Sequence, residues 1–122
     1  MHGMTGLAEL VARGNETVPV FEVRGELDAS NVEYVFDRLL VGVPHEAPGL
    51  VLDLSQTTYL DSAGVRILFE LARRLRTRRQ ELRISVPGTG IVRRVVVLTA
   101  LGDVVALDDT VDESVAALTA RI

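Results

Sequence analysis

Apolar residues alternate with polar ones in some stretches of this chain and recur every three or four positions in others. Each change of period marks an element. Leu7 to Ala12 and Val18 to Arg24 are β-prone runs separated by Gly14-Asn15, which predicts a hairpin with a longer loop. Pro19 suits the start of a strand or an edge, and Gly25 interrupts the second run. Val32, Val35, Phe36, Leu39, Leu40 and Val43 then follow helical spacing. Ser30 and Glu33 form a capping-box pattern at its start, and Pro44 and Pro48-Gly49 end it. Leu50 to Leu54 is a short, nearly continuous apolar run, the mark of a strand covered on both faces.

After a turn-rich stretch reaching Asp61-Ser62-Ala63-Gly64, a second helix places Val65, Leu68, Leu71, Ala72 and Leu75 on one face. Arg66, Glu70, Arg73, Arg74 and Thr77 lie on the other. Leu82, Ile84 and Val86 alternate as a strand, stopped by Pro87-Gly88. Thr89 or Gly90 caps a third helix carrying Val92, Val95, Val96 and Thr99, with Gly102 as its C′ residue. Val104 to Leu107 is a last strand. Thr110 and Glu113 form a second capping box, before a final helix that buries Val111, Val115, Leu118 and Ile122.

Strands separated by helices imply parallel crossovers, and the first hairpin adds an antiparallel pair. The expectation is a single α/β domain over residues 7–120, with a mixed four- to five-stranded sheet and helices mainly on one face. Residues 1–6 form an N-terminal extension, and Met1-His2-Gly3-Met4 receives no role.

Composition narrows the function. There is no Cys and no Lys, and the only histidines are His2 and His45. Thiol catalysis, Cys-based metal sites, a Schiff-base lysine and a P-loop lysine are excluded, and a three-histidine metal site is disfavoured. Enzymatic chemistry is short of side chains, so the chain reads as a non-enzyme without cofactor. The net charge of −4 gives no reason to expect nucleic acid or an anionic membrane. No membrane span and no signal-peptide core stand out, so the expected location is the cytoplasm.

Four features bear on chemistry. Asp61-Ser62 lies between a strand and a helix. The plain reading is an N-cap; the functional one is an accessible serine at the carboxyl edge of a parallel sheet, beside helix N–H groups that tolerate phosphate. Asp28 follows a strand and is either a turn residue or, if both strand ends share one sheet edge, a neighbour of Asp61 and Ser62. The arginines 73, 74, 76, 78 and 79 read as cations complementing a helix C-terminus rather than as a nucleic-acid patch. Asp108 and Asp109 favour the N-terminus of the last helix.

Val23-Arg24-Gly25-Glu26-Leu27-Asp28, followed in order by Val51-Leu52-Asp53-Leu54 and Tyr59-Leu60-Asp61-Ser62-Ala63-Gly64-Val65, resembles the signature of STAS domains, the family of bacterial anti-sigma factor antagonists. Thr99-Ala100-Leu101-Gly102 also fits. The resemblance implies a protein that captures an anti-sigma factor serine kinase and is disabled when that kinase phosphorylates the serine matching Ser62. A metal-dependent serine phosphatase reverses the modification. Asp28, Asp61, Ala63, Gly64 and Arg66 are the implied partner-binding positions. Two departures stand out: Ala63 replaces a second hydroxyl common in the family, and Arg66 stands where a small residue is frequent. The alternative implied role is a scaffold subunit of a stress-signalling assembly or a lipid transporter complex. Ser62 argues mildly against the transporter type, where Thr is frequent.

Overall fold

A computed structural model describes residues 2–5, 8–15 and 17–122. Leu7, the expected start of the first strand, lies outside them. The elements are β1 (His2–Thr5), β2 (Ala8–Gly14), β3 (Pro19–Leu27), α1 (Val32–Val41), β4 (Gly49–Asp53), β5 (Thr57–Leu60), α2 (Ser62–Thr77), β6 (Glu81–Ser85), α3 (Ile91–Leu98), a short 3-10 helix (Ala100–Asp103), β7 (Ala106–Asp108) and α4 (Val111–Thr119).

All seven strands join one mixed sheet in the order β1-β2-β3-β4-β6-β7, with β5 beside β3. The β1–β2 and β2–β3 pairs are antiparallel and the others parallel. The five strands expected from the periodicity are all present. The sheet gains β1, and it gains β5 from the stretch read as turn-rich.

Strand β5 exists because of what happens to β3. β2 lines one edge of β3 from Pro19 to Gly25, so β4 and β5 share the other, β4 along Val20–Glu22 and β5 along Gly25–Leu27. The pairing shifts between Gly25 and Glu26. Gly25 has φ of +98°, a left-handed conformation that glycine adopts without steric penalty. It therefore forms a bulge and β3 runs on to Leu27, instead of ending at Gly25 as the sequence suggested.

The main core lies on the face covered by α1, α2 and α3. It joins Leu50 and Leu52 of β4 and Ile84 of β6 to Val35 and Leu39 of α1 and to Leu68, Leu71 and Leu75 of α2. On the other face, among the described residues, lies α4, whose Leu118 packs on Val18, Val20 and Val51. All of β4 is buried, consistent with cover on both faces. Beyond the reach of α4, Glu22 of β3 is flanked by Arg13 at 3.2 Å and Arg24 at 2.8 Å, a charged ladder on the sheet surface.

Several local expectations change. The Ser30–Glu33 capping box does not form; the N-cap of α1 is Asn31, without a side-chain cap bond. Gly90, not Thr89, precedes α3 as its cap. Gly102 is not the C′ residue of α3, because Thr99 turns extended (ψ 165°) and the 3-10 helix follows. That displaces the last strand to Ala106–Asp108. The Thr110–Glu113 capping box is complete. α4 ends at Thr119, so Ile122 is 72% exposed rather than buried. Asp108 serves tertiary structure more than the helix start: Arg83 of β6 donates to both its oxygens, at 2.9 and 3.0 Å, and the buried Ser114 hydroxyl donates at 2.7 Å. Hydrogen bonding from Arg83 holds its carboxyl below the usual carboxylate range, against the opposing effect of burial.

Candidate functional site

Leu27 and Leu60 are register partners at the ends of the parallel strands β3 and β5. The residues that leave these strands, Asp28 and Asp61, therefore emerge at the same end of the sheet, on strands spaced about 4.8 Å apart. The Asp61 N–H donates to the Leu27 carbonyl at 3.3 Å, extending the pairing to the first residue beyond β5. Asp28, Asp61 and Ser62 are thus brought to one edge, at the carboxyl ends of parallel strands.

At the β5–α2 junction the chain turns directly into the helix. Asp61 has extended backbone angles and its Oδ1 accepts from the Gly64 N–H at 2.9 Å, so it is the N-cap. Gly64 makes this abrupt turn possible. A Cβ there would stand 2.5 Å from Leu60 Cδ1 and 2.7 Å from the Leu27 carbonyl oxygen. The helix start can lie against both strands only if residue 64 has no side chain. Gly64 is buried and Ala63 half-buried against the core. Ser62, the first helical residue, is exposed, and so is Arg66.

At the β3–α1 junction the loop satisfies itself. Asp28 Oδ1 accepts from the Ser30 N–H at 2.9 Å and from the Ser30 hydroxyl. Its carbonyl accepts from the N–H groups of Asn31 and Val32, both at 3.1 Å. Buried Asn31 clamps the loop, accepting from the Asp28 N–H at 3.1 Å and donating to the Glu26 carbonyl at 2.8 Å. Asp28 is half-buried, a turn residue that also borders the Ser62 edge.

Among the described residues, no group of three or more His, Asp or Glu is placed to hold a metal ion, and no helix is long and apolar enough to cross a membrane. The arrangement offers a helix start whose N–H groups favour negative charge, an exposed hydroxyl on it and a free guanidinium one turn along.

A family model described as the STAS domain matches residues 9–114. The chain belongs to the STAS domain family. Among solved structures, this STAS domain is similar to an anti-sigma factor antagonist from Mycobacterium paratuberculosis, with 26% identity, a TM-score of 0.78, and cover of 90% of this chain and 92% of that one. A putative anti-sigma factor antagonist from Thermotoga maritima has 20% identity, a TM-score of 0.75 and cover of 90% and 94%. The anti-sigma factor antagonist SpoIIAA in its unphosphorylated form has 16% identity, a TM-score of 0.68 and cover of 93% and 99%. These two show the shared fold. No curated protein matches the chain in sequence.

Within this STAS domain the implied site divides in two. Ser62, Arg66 and the edge of Asp28 face outward, while Gly64 and Ala63 face the core and Asp61 is occupied as a cap. Tyr59, named above only as part of the signature, is 48% exposed on β5, three residues before Ser62. Sequence reasoning missed the outward face of α3, where Ile91 is 63% and Leu98 77% exposed. Helix α3 packs against β5. The apolar outward positions of α3 were the available signal for that face; Tyr59 stands within the signature, but its exposure follows from the pairing of β5, which the residue spacing does not reveal.

Proposed function

We propose that this STAS domain is an anti-sigma factor antagonist. It binds an anti-sigma factor that is also a serine kinase, and phosphorylation of Ser62 turns it off. A metal-dependent serine phosphatase restores it. The observation that carries the reading is the position of Ser62: an exposed hydroxyl in the first turn of α2, beside the Asp28 edge, held outward by a helix start that Asp61 and Gly64 lock in place. The likeness to the Mycobacterium paratuberculosis antagonist over most of both chains supports it.

The chemistry follows from charge. Phosphorylation adds about −1.5 to −2 charges at neutral pH. The helix N-terminus offsets part of that, typically by about 0.3–1 kcal/mol for an exposed charge, so the phosphoprotein stays folded. What changes is the surface. A strongly hydrated dianion stands where the partner meets a small hydroxyl, and burying it unpaired in an interface is costly. Binding falls without refolding.

The test is to incubate the protein with ATP and each candidate anti-sigma kinase of its organism, then map the phosphate by peptide mass spectrometry. The expected result is label on Ser62, abolished in Ser62→Ala. Label elsewhere, or equal labelling of Ser62→Ala, overturns the switch. If no kinase labels the chain, a scaffold role in a signalling assembly or transporter complex replaces it.

A further inference from the structure

The cations of α2 are unequally employed. Arg73 pairs with Glu70. Arg74 lies over the Phe36 ring, 5.8 Å from its centroid. Arg76 donates to the Val104 carbonyl at 3.5 Å. Glu70 stands four residues after Arg66, where an i,i+4 ion pair would form, but Arg73 takes its carboxylate. Arg66 is exposed and makes no hydrogen bond, ion pair or ring contact among the described residues. The nearby acids do not hold it: Asp61 accepts from the Gly64 N–H and Asp28 from Ser30.

Ser62 lies four residues before Arg66 on the same exposed face. Side chains in a helix lean toward its N-terminus, so an arginine at i+4 reaches back over position i, with Cβ atoms about 5–6 Å apart. A guanidinium there suits a phosphate, presenting planar paired donors to its oxygens.

We infer that Arg66 is the residue that receives the phosphate of a phosphorylated Ser62 within the same helix. The inference rests on reading Ser62 as the phosphoacceptor. It adds that modification changes two features at once: the hydroxyl becomes a dianion, and the free guanidinium of the helix start is withdrawn from the partner. Ala63 offers no second hydroxyl to compete for the phosphate.

The test uses the full chain with phosphoserine encoded at position 62, so no kinase is needed. The phosphate is titrated by phosphorus-31 NMR in the otherwise native chain, in Arg66→Gln and in Arg66→Lys. The expected midpoint of the second ionisation is about 0.3 pH unit or more lower with Arg66 than with Gln, the size an exposed i,i+4 ion pair supplies. Arg66→Lys restores part of the difference, and about 0.5 M salt shrinks it. Equal midpoints for Arg and Gln overturn the inference and leave kinase labelling of Ser62 untouched. Failure of kinases to label Ser62 overturns the switch and leaves this titration intact.

Discussion

The two strand-to-helix junctions at the Ser62 edge start from the same residue type and end differently. Asp61 uses its carboxylate to cap α2 at Gly64, so the helix begins on the next residue and puts Ser62 on the surface. Asp28 spends its carboxylate on Ser30, and the loop runs three more residues before α1 begins. The difference comes from Gly64, which lets α2 sit directly against Leu27 and Leu60. An abrupt junction makes a rigid pedestal for one side chain; a self-bonded loop makes a neighbouring wall.

The shared support of both junctions is Leu27, fully buried at the end of β3. Leu27→Ala removes it and should destabilise by about 2–5 kcal/mol, through lost burial plus a cavity. Denaturant unfolding checks this, and a loss under about 0.5 kcal/mol would match an ordinary surface site. Next in size is Gly64→Ala. Its methyl group meets the Leu27 carbonyl and Leu60, so α2 must shift, at about 1–3 kcal/mol. If this variant is as stable as the native chain, the close approach does not set the junction.

The caps themselves should separate the two junctions. Asp61→Ala loses an N-cap and should cost about 0.5–2 kcal/mol. Asp28→Ala loses contacts to an exposed serine that water replaces, and should cost about 0.5 kcal/mol. Thermal melts of the two variants side by side give the ranking, and the reverse order would mean that the Asp61 cap does not hold the start of α2.

Asp108 belongs to neither junction and is held by Arg83 of β6. Asp108 has its ionisation shifted downward, first by hydrogen bonding from Arg83. Its contribution to stability is present above the unfolded value of about 4 and is lost as pH falls through the lower folded value. Stability measured from pH 5 downward should therefore fall less steeply in Asp108→Asn than in the native chain. Identical slopes would mean that the Arg83 pair does not couple folding to pH.

Much of this architecture was readable from residue spacing. The α2 stripe of Leu68, Leu71 and Leu75 and the unbroken apolar run of β4 predict their own burial, because long-period and continuous patterns survive tertiary context. β5 did not show itself. Its four residues are Thr-Thr-Tyr-Leu, the two inner ones are exposed, and its pairing depends on a bulge at Gly25 in another strand. The α1 cap failed for a different reason. Asp28, Ser30 and Asn31 are all turn formers within four residues, and spacing cannot say which of them the loop will use. For the site, the order of the two motifs pointed to Asp28, Asp61 and Ser62 on one edge. That Gly64 would act by packing and Asp61 by capping required the helix to be seen against the strands.

The proposed switch is tested by comparing two versions of the chain, one with serine and one with encoded phosphoserine at position 62, for binding to each candidate anti-sigma kinase of the organism. Calorimetry gives affinity, and amide NMR spectra report the fold. The phosphoserine protein is expected to lose about tenfold or more in affinity, about 1.4 kcal/mol, with spectral changes confined to the first turn of α2 and the Asp28 loop. Equal affinity, or a loss of binding accompanied by global unfolding, would contradict a switch that acts through the surface of one exposed serine.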